Sequence, residues 1–251
     1  MPVTKTLENQ GKDVIVPPCD RYSDEPPLET YLHLQQMMLL IKCLEWLWQD
    51  RDDFFATGNQ TIYYSANQRK SEDFRGPDFF VVLNTQRQPR KSWTVWEEDG
   101  KYPNLIVELL SASTAQVDRE LKKQIYQDIF RTPDYFWFDP DSLEFAGFHL
   151  SDGSYQSLEA NPRGHLWSEQ LQLFLGIDNR QLRFFTPEGE LVPTPEEAAK
   201  LAQQEVNRER QERELAQQEV NRERQERELA QQEINRLSQK LRELGIDPNR
   251  L

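Results

Sequence analysis

The chain has 251 residues, of which 37% are hydrophobic and 29% charged, and its formal net charge at pH 7 is -13. From Glu196 onward there are 13 acidic and 11 basic residues, which leaves 30 acidic against 19 basic before that point. So acidic a body excludes a broad basic surface for non-specific nucleic-acid binding, but not a local site where bound cations reverse the charge.

Residues 1–20 contain Pro17-Pro18 and no periodic pattern, and are expected to be a flexible lead-in. They lack the basic start and apolar stretch of a secretory signal. A helix is predicted from about Leu28 to Asp50, with Leu32, Leu39, Leu40, Cys43, Leu44 and Leu47 on one arc and Trp46 and Trp48 widening it. Its most apolar part, Met37 to Trp48, is too short for a membrane span and contains Lys42 and Glu45, the latter expected to face solvent. Cys19 and Cys43 are too far apart for a CxxC site and give no disulfide framework. A soluble protein of a reducing compartment, most simply the cytoplasm, is expected.

Thr61 to Tyr64 is a short β-rich run, and Phe79 to Leu83 is a continuous apolar strand. Leu105 to Leu110 is a second apolar strand with Glu108 inside it. Such runs suit strands covered on both faces, as in α/β folds. A helix follows from about Ser113 to Phe130, with Ser113 and Gln116 placed as a capping box and Thr132-Pro133 as its end. Tyr135 to Asp139 is the next strand. Hairpins are predicted for Phe145 to Leu150 with Tyr155 to Leu158, and for Leu182 to Phe185 with Glu190 to Val192.

Thr194-Pro195-Glu196-Glu197 starts a last helix. Its sequence is repetitive: LAQQEVNRERQERE occurs at 201–214 and again at 215–228, and a variant follows to Glu243. A helix over 195–244 would be roughly 75 Å long at about 1.5 Å per residue. Its apolar positions, Leu201, Val206, Leu215, Val220, Leu229 and Ile234, are too sparse for a continuous coiled-coil seam. A solvated, charge-paired helix and a weak coiled coil that dimerises the chain both fit. The expected organisation is a lead-in over 1–20, an α/β domain over 21–193 and the charged helix over 194–251.

Two carboxylates stand out. Asp78 follows Gly76-Pro77 and opens one apolar strand, and Glu108 lies within another. An acid in a covered strand is costly unless paired, protonated or bound to a cation. Side-by-side strands would bring the two to one metal; alternatively Asp78 sits in a turn and Glu108 at a strand end facing water. On the following helix, Val117, Leu121, Ile125, Ile129, Tyr126 and Phe130 outline an apolar arc at about 100° per residue. Asp118 and Lys122 fall inside that arc and Lys123 outside it. That pair is either a buried structural ion pair or a lysine delivered to the carboxylates. Ser111 is placed to cap the helix or to contact phosphate. His33, His149 and His165 are scattered without metal-ligand spacing. Trp93, Trp96 and Trp137 suit the core or base stacking.

The series Gly76-Pro77-Asp78-Phe-Phe-Val-Val, Ile-Val-Glu108-Leu-Leu-Ser111, Asp118-Arg-Glu-Leu-Lys122-Lys-Gln-Ile-Tyr126 and Pro133-Asp-Tyr-Phe-Trp-Phe-Asp139-Pro resembles the Uma-two family of restriction-endonuclease-like proteins, within the PD-(D/E)xK nuclease superfamily. The match spans about residues 28 to 160. It implies an α/β fold with a four-stranded mixed sheet flanked by helices, Mg²⁺ binding with Mn²⁺ as substitute, and endonucleolytic hydrolysis of DNA. It carries Asp78 and Glu108 over as the acidic metal ligands. The superfamily lysine normally lies two residues after the second acid, where this chain has Leu110; the family supplies it from the next helix, which matches Lys122. Asp118 and Ser111 would then support the site. Action on RNA, or a nuclease-fold scaffold without catalysis, fits the same residues.

Overall fold

The computed structural model describes residues 6–9, 12–15, 30–64, 74–110 and 115–243. Within the expected lead-in, β1 (Thr6–Asn9) and β2 (Lys12–Ile15) pair as an antiparallel hairpin. Then follow α1 (Tyr31–Leu47), β3 (Phe54–Thr57), β4 (Ile62–Tyr63), β5 (Phe74–Arg75), β6 (Phe79–Leu83), β7 (Trp93–Thr94), β8 (Leu105–Leu109) and α2 (Ala115–Ile125). A π-helical turn, Tyr126–Phe130, extends α2. After it come β9 (Asp134–Phe138), β10 (Phe145–Ser151), β11 (Ser154–Ser157), β12 (Leu166–Ser168), β13 (Leu173–Asp178), β14 (Gln181–Phe185) and α3 (Pro195–Glu243).

The central sheet is mixed and carries six strands, β11-β10-β9-β8-β6-β3, two more than the resemblance implies. Among the described strands of this sheet β8 and β9 run parallel, joined by the α2 crossover, and the other neighbouring pairs are antiparallel. Alternation along the strands divides the core. Phe79, Val81, Leu105, Val107, Phe136 and Phe138 point to one face, where they meet α1 and the sheet β12-β13-β14. Phe80, Val82, Ile106 and Tyr135 point to the other, with Ile125, Tyr126 and Phe130. Glu108 follows the parity of Ile106 and therefore faces α2.

In α1, His33, Gln36, Met37, Leu40, Cys43 and Leu44 are buried, whereas Leu32 and Leu47 are 50% and 38% exposed, against expectation. Backbone hydrogen bonding decides the face. The Gln36 amide donates from Nε2 to Leu182 O at 2.8 Å and accepts from Leu182 N at 2.9 Å, satisfying the open side of edge strand β14. Trp93 is fully buried and stacks on Phe55, and Glu45 is exposed beside Arg87.

The hairpin expected between 182–185 and 190–192 is present in short form: the chain turns where Gly189 N–H donates to Thr186 O at 2.8 Å, and Val192 N–H donates to Phe184 O at 2.9 Å, while the full ladder of this strand lies on its other side. β14 pairs with β13, and Leu191 makes a single bridge to Phe185. The tight turn is Asn179-Arg180, both residues at positive φ (48° and 62°), a twist-matched geometry reached here without glycine. A different signal was legible at β10–β11, where Asp152-Gly153 makes the turn (φ 49° and 86°).

Residues up to Pro195 form one compact unit and Glu196 onward another. Taken by itself, α3 repeats its contacts with its sequence. Arg210–Glu214 at 2.9 Å recurs as Arg224–Glu228 at 3.0 Å, and Gln203–Asn207 recurs as Gln217–Asn221 and Gln231–Asn235. Leu201, Val206, Leu215, Val220, Leu229 and Ile234 are all more than half exposed. Among the described residues no helix is long and apolar enough to cross a membrane.

Candidate active site

β6 and β8 pair antiparallel with Phe79 opposite Val107. Extending that register by one residue sets Asp78 opposite Glu108, so strand pairing alone brings the two acids together. Asp78 Oδ2 accepts from the Leu109 N–H at 2.8 Å, which fixes its carboxyl against β8. Its backbone is held by the preceding loop: Asn59 N–H donates to Pro77 O and Asp78 O, both at 3.2 Å. Gly58 makes this approach possible, since a Cβ there would collide with the Asp78 carbonyl and the Met37 side chain.

Glu108 is 2% exposed. Lys122 Nζ lies 3.0 Å from its Oε2, and the Tyr126 hydroxyl donates to its Oε1 at 2.5 Å. Both donors stand on one face of the α2 helix and its extension, four residues apart. The Asp78 and Glu108 side chains are within hydrogen-bonding reach of each other. Burial first, and then the negative charge of Glu108, hold the Asp78 carboxyl well above the usual aspartate range, against the opposing pull of Lys122. Burial and the same Glu108 charge push the Tyr126 hydroxyl up, so it stays a donor.

Asp78, Glu108 and Lys122 therefore converge. Ser111 and the side chain of Asp118 lie outside the described residues, and so does the expected Ser113 cap. The buried arc of α2 is rotated from the expected one. Lys122, Ile125, Tyr126 and Phe130 face inward, whereas Leu121 and Ile129 are 49% and 46% exposed. The π-turn explains part of the shift, since its wider spacing breaks the 3.6-residue wheel at Ile129. Lys123, expected in solvent, sits 3.4 Å from the centroid of the Phe148 ring, and burial lowers its pKa. Tyr126 belongs to the expected apolar arc, which gives its hydroxyl no part in the site. Its position four residues after Lys122 was the available signal.

The three histidines stay apart. His33 Nε2 donates to Leu110 O at 3.1 Å, and His165 stacks on Phe185. His149 Nδ1 meets Asp134 Oδ1 at 2.7 Å, while Asp134 Oδ2 accepts from Ser168 Oγ at 2.6 Å and Gln170 N at 3.0 Å. Asp134 stands at the centre of that cluster and links β9 to β10 and β12. Among the described residues no group of three or more His, Cys, Asp or Glu side chains forms a ready cage for a metal. Two facing carboxyls do fit a divalent cation of the Mg²⁺ type. They are hard oxygen donors, they carry more negative charge than the buried site tolerates well, and Mg²⁺ keeps much of its water.

The family model Uma2, described as "Putative restriction endonuclease", matches residues 23–178. Among solved structures, a putative nuclease belonging to DUF820 from Anabaena variabilis ATCC 29413 is similar at 11% identity and a TM-score of 0.42, over 64% of this chain and 79% of that one. No curated protein matches. The family match spans more than half of the sequence and includes the whole Asp78–Glu108–Lys122 cluster: the chain belongs to the Uma2 family of putative restriction endonucleases.

Proposed function

We propose that the protein is a Mg²⁺-dependent endonuclease that hydrolyses DNA phosphodiester bonds, with Asp78 and Glu108 as metal ligands and Lys122 as the catalytic cation. The observation that carries this reading is the convergence of two acids from adjacent strands and one ammonium from the next helix at a single partly buried point. Mn²⁺ is the expected substitute. A bound divalent cation supplies a water of lowered pKa and neutralises charge on the phosphoryl oxygens. The chain's own parts are simple. Asp78, oriented by the Leu109 N–H, and Glu108 would hold a divalent cation. Lys122 turns its ammonium toward the attacking water or the oxygen that gains charge. Asp118 and Ser111 are assigned supporting roles beside it. We assign the protein to a reducing compartment, the cytoplasm, where the buried Cys43 beside Arg183 stays reduced.

Cleavage of supercoiled DNA by Asp78→Asn and Glu108→Gln proteins tests the assignment. Both should lose metal-dependent cleavage while keeping the fold. Wild-type cleavage by Glu108→Gln would overturn it. An RNA substrate in the same assay separates the two nucleic acids.

One observation favours a second reading, a nuclease-fold scaffold without catalysis: both Glu108 oxygens already have donors within the chain. Calorimetric titration with Mg²⁺ separates the two, because a scaffold needs no cation. In either reading the exposed apolar positions of α3 are assigned to pairing with a second copy of the chain. Sedimentation over a hundredfold range of concentration should show association, and a constant monomer would refute it.

A further inference from the structure

Tyr126 has no assigned part in the metal reading above, yet its surroundings are built around one bond. The side chain is fully buried. Its ring packs between Phe130 (centroids 5.4 Å apart) and Tyr135 (5.6 Å), so it has little room to turn. Its own carbonyl is held too, accepting from the Thr132 N–H at 3.0 Å where the π-turn closes. The hydroxyl is spent on Glu108 Oε1 at 2.5 Å. A π-turn is uncommon and often marks a functional position. Here it begins at the residue that touches the candidate metal ligand.

The two donors to Glu108 differ in kind. Lys122 reaches Oε2 with an ammonium on a flexible four-carbon stem and is partly exposed. Tyr126 reaches Oε1 with a hydroxyl on a locked ring. The terminal torsion of a glutamate is broad, so its carboxylate plane is set by its partners rather than by the side chain itself.

We propose that Tyr126 is a positioning residue. Its phenol fixes the Glu108 carboxylate through Oε1, so that Oε2 and the facing Asp78 are presented together to a divalent cation. The inference rests on the metal-binding reading of Asp78 and Glu108. Oε2, which Lys122 contacts, would be the oxygen offered to the cation, while Oε1 would keep its phenol donor.

The test is Tyr126→Phe in the full-length protein, read by calorimetric titration with Mn²⁺ and by the kinetics of DNA cleavage. Groups that orient a metal ligand from behind typically change metal affinity or activity by about 10–100-fold when removed. Mn²⁺ affinity should fall by about that factor, kcat should fall with it, and KM for DNA should stay unchanged. High Mn²⁺ should recover part of the rate. Wild-type Mn²⁺ affinity in Tyr126→Phe, whatever its stability, overturns the inference and leaves the phenol as packing that satisfies a buried acid. Should the variant not fold in buffer, the same titration in an osmolyte that restores folding decides. Glu108→Gln run in parallel separates the two claims. If Glu108→Gln loses Mn²⁺ and Tyr126→Phe does not, this inference alone fails. If Glu108→Gln also binds like wild type, the metal reading fails and takes the inference with it.

Discussion

Lys122 Nζ and Glu108 Oε2 stand 3.0 Å apart, the ammonium 23% and the carboxylate 3% exposed. Breaking a buried pair leaves an uncompensated charge, which costs about 3–5 kcal/mol when both partners are fully buried. Because Lys122 is partly solvated, Lys122→Met should cost less, about 1–3 kcal/mol. Urea unfolding in EDTA measures this. Adding Mg²⁺ should restore part of the loss, since a cation at Glu108 replaces the missing charge, while DNA cleavage should fall by about 100-fold or more. A variant as stable as wild type in EDTA would mean that Glu108 does not depend on this pair.

Asp78 sets a pH dependence of unusual sign for an aspartate. Folding raises its pKa, chiefly by burial and next by the Glu108 charge. Between the ordinary aspartate value of 3.8 and the raised folded value, the folded chain keeps a proton that the unfolded chain has released. The Asp78 contribution to stability is therefore greatest at low pH and declines as pH rises through that window. In EDTA at pH 8, Asp78→Asn should be more stable than wild type, and the gap should close toward pH 4. Urea midpoints of both proteins across this range check it.

The Asp134 cluster should be structural and separable. Ser168→Ala removes one donor from a fully buried carboxylate that also holds His149 and the Gln170 N–H. The expected cost is about 1–3 kcal/mol of stability. Cleavage and Mn²⁺ affinity, measured on the folded protein, should be unchanged.

Much of this fold was legible because short apolar runs left little choice. Phe79–Leu83 and Leu105–Leu109 suit covered strands, and an acid at the edge of one and inside the other leaves two options, a shared point or a turn and a wet strand end, between which the pairing of the strands decides. Lys122 was legible through helical spacing, which survived a rotation of the apolar arc because the lysine lies near the centre of the observed one. The observed arc leaves out Leu121 and Ile129, and the π-turn changes the period at the second of them. β12 and β13 were not read, since Leu166–Ser168 and Leu173–Asp178 are brief and separated by polar residues. Tyr126 was hidden by its chemistry: the same ring serves the core and the same hydroxyl serves Glu108, and only packing reveals the second use.

The exposed pairs of α3 should respond to salt. Contacts such as Arg210–Glu214 and Glu209–Arg213 are worth about 0.2–0.5 kcal/mol each and are screened at high ionic strength. Circular dichroism at 222 nm, comparing the full chain with one ending at residue 195, should show the difference signal shrink between about 50 mM and about 1 M NaCl. A salt-independent difference would mean that these ion pairs add nothing measurable to the helix.

The central claim concerns one point between two strands. A crystal soaked in Mn²⁺, with anomalous scattering recorded at the manganese edge, addresses it directly. The expected result is a peak bridging the Asp78 and Glu108 carboxylates, with Lys122 turned away from Oε2. A clean map with no peak there, and Lys122 still bound to Glu108, would contradict the account.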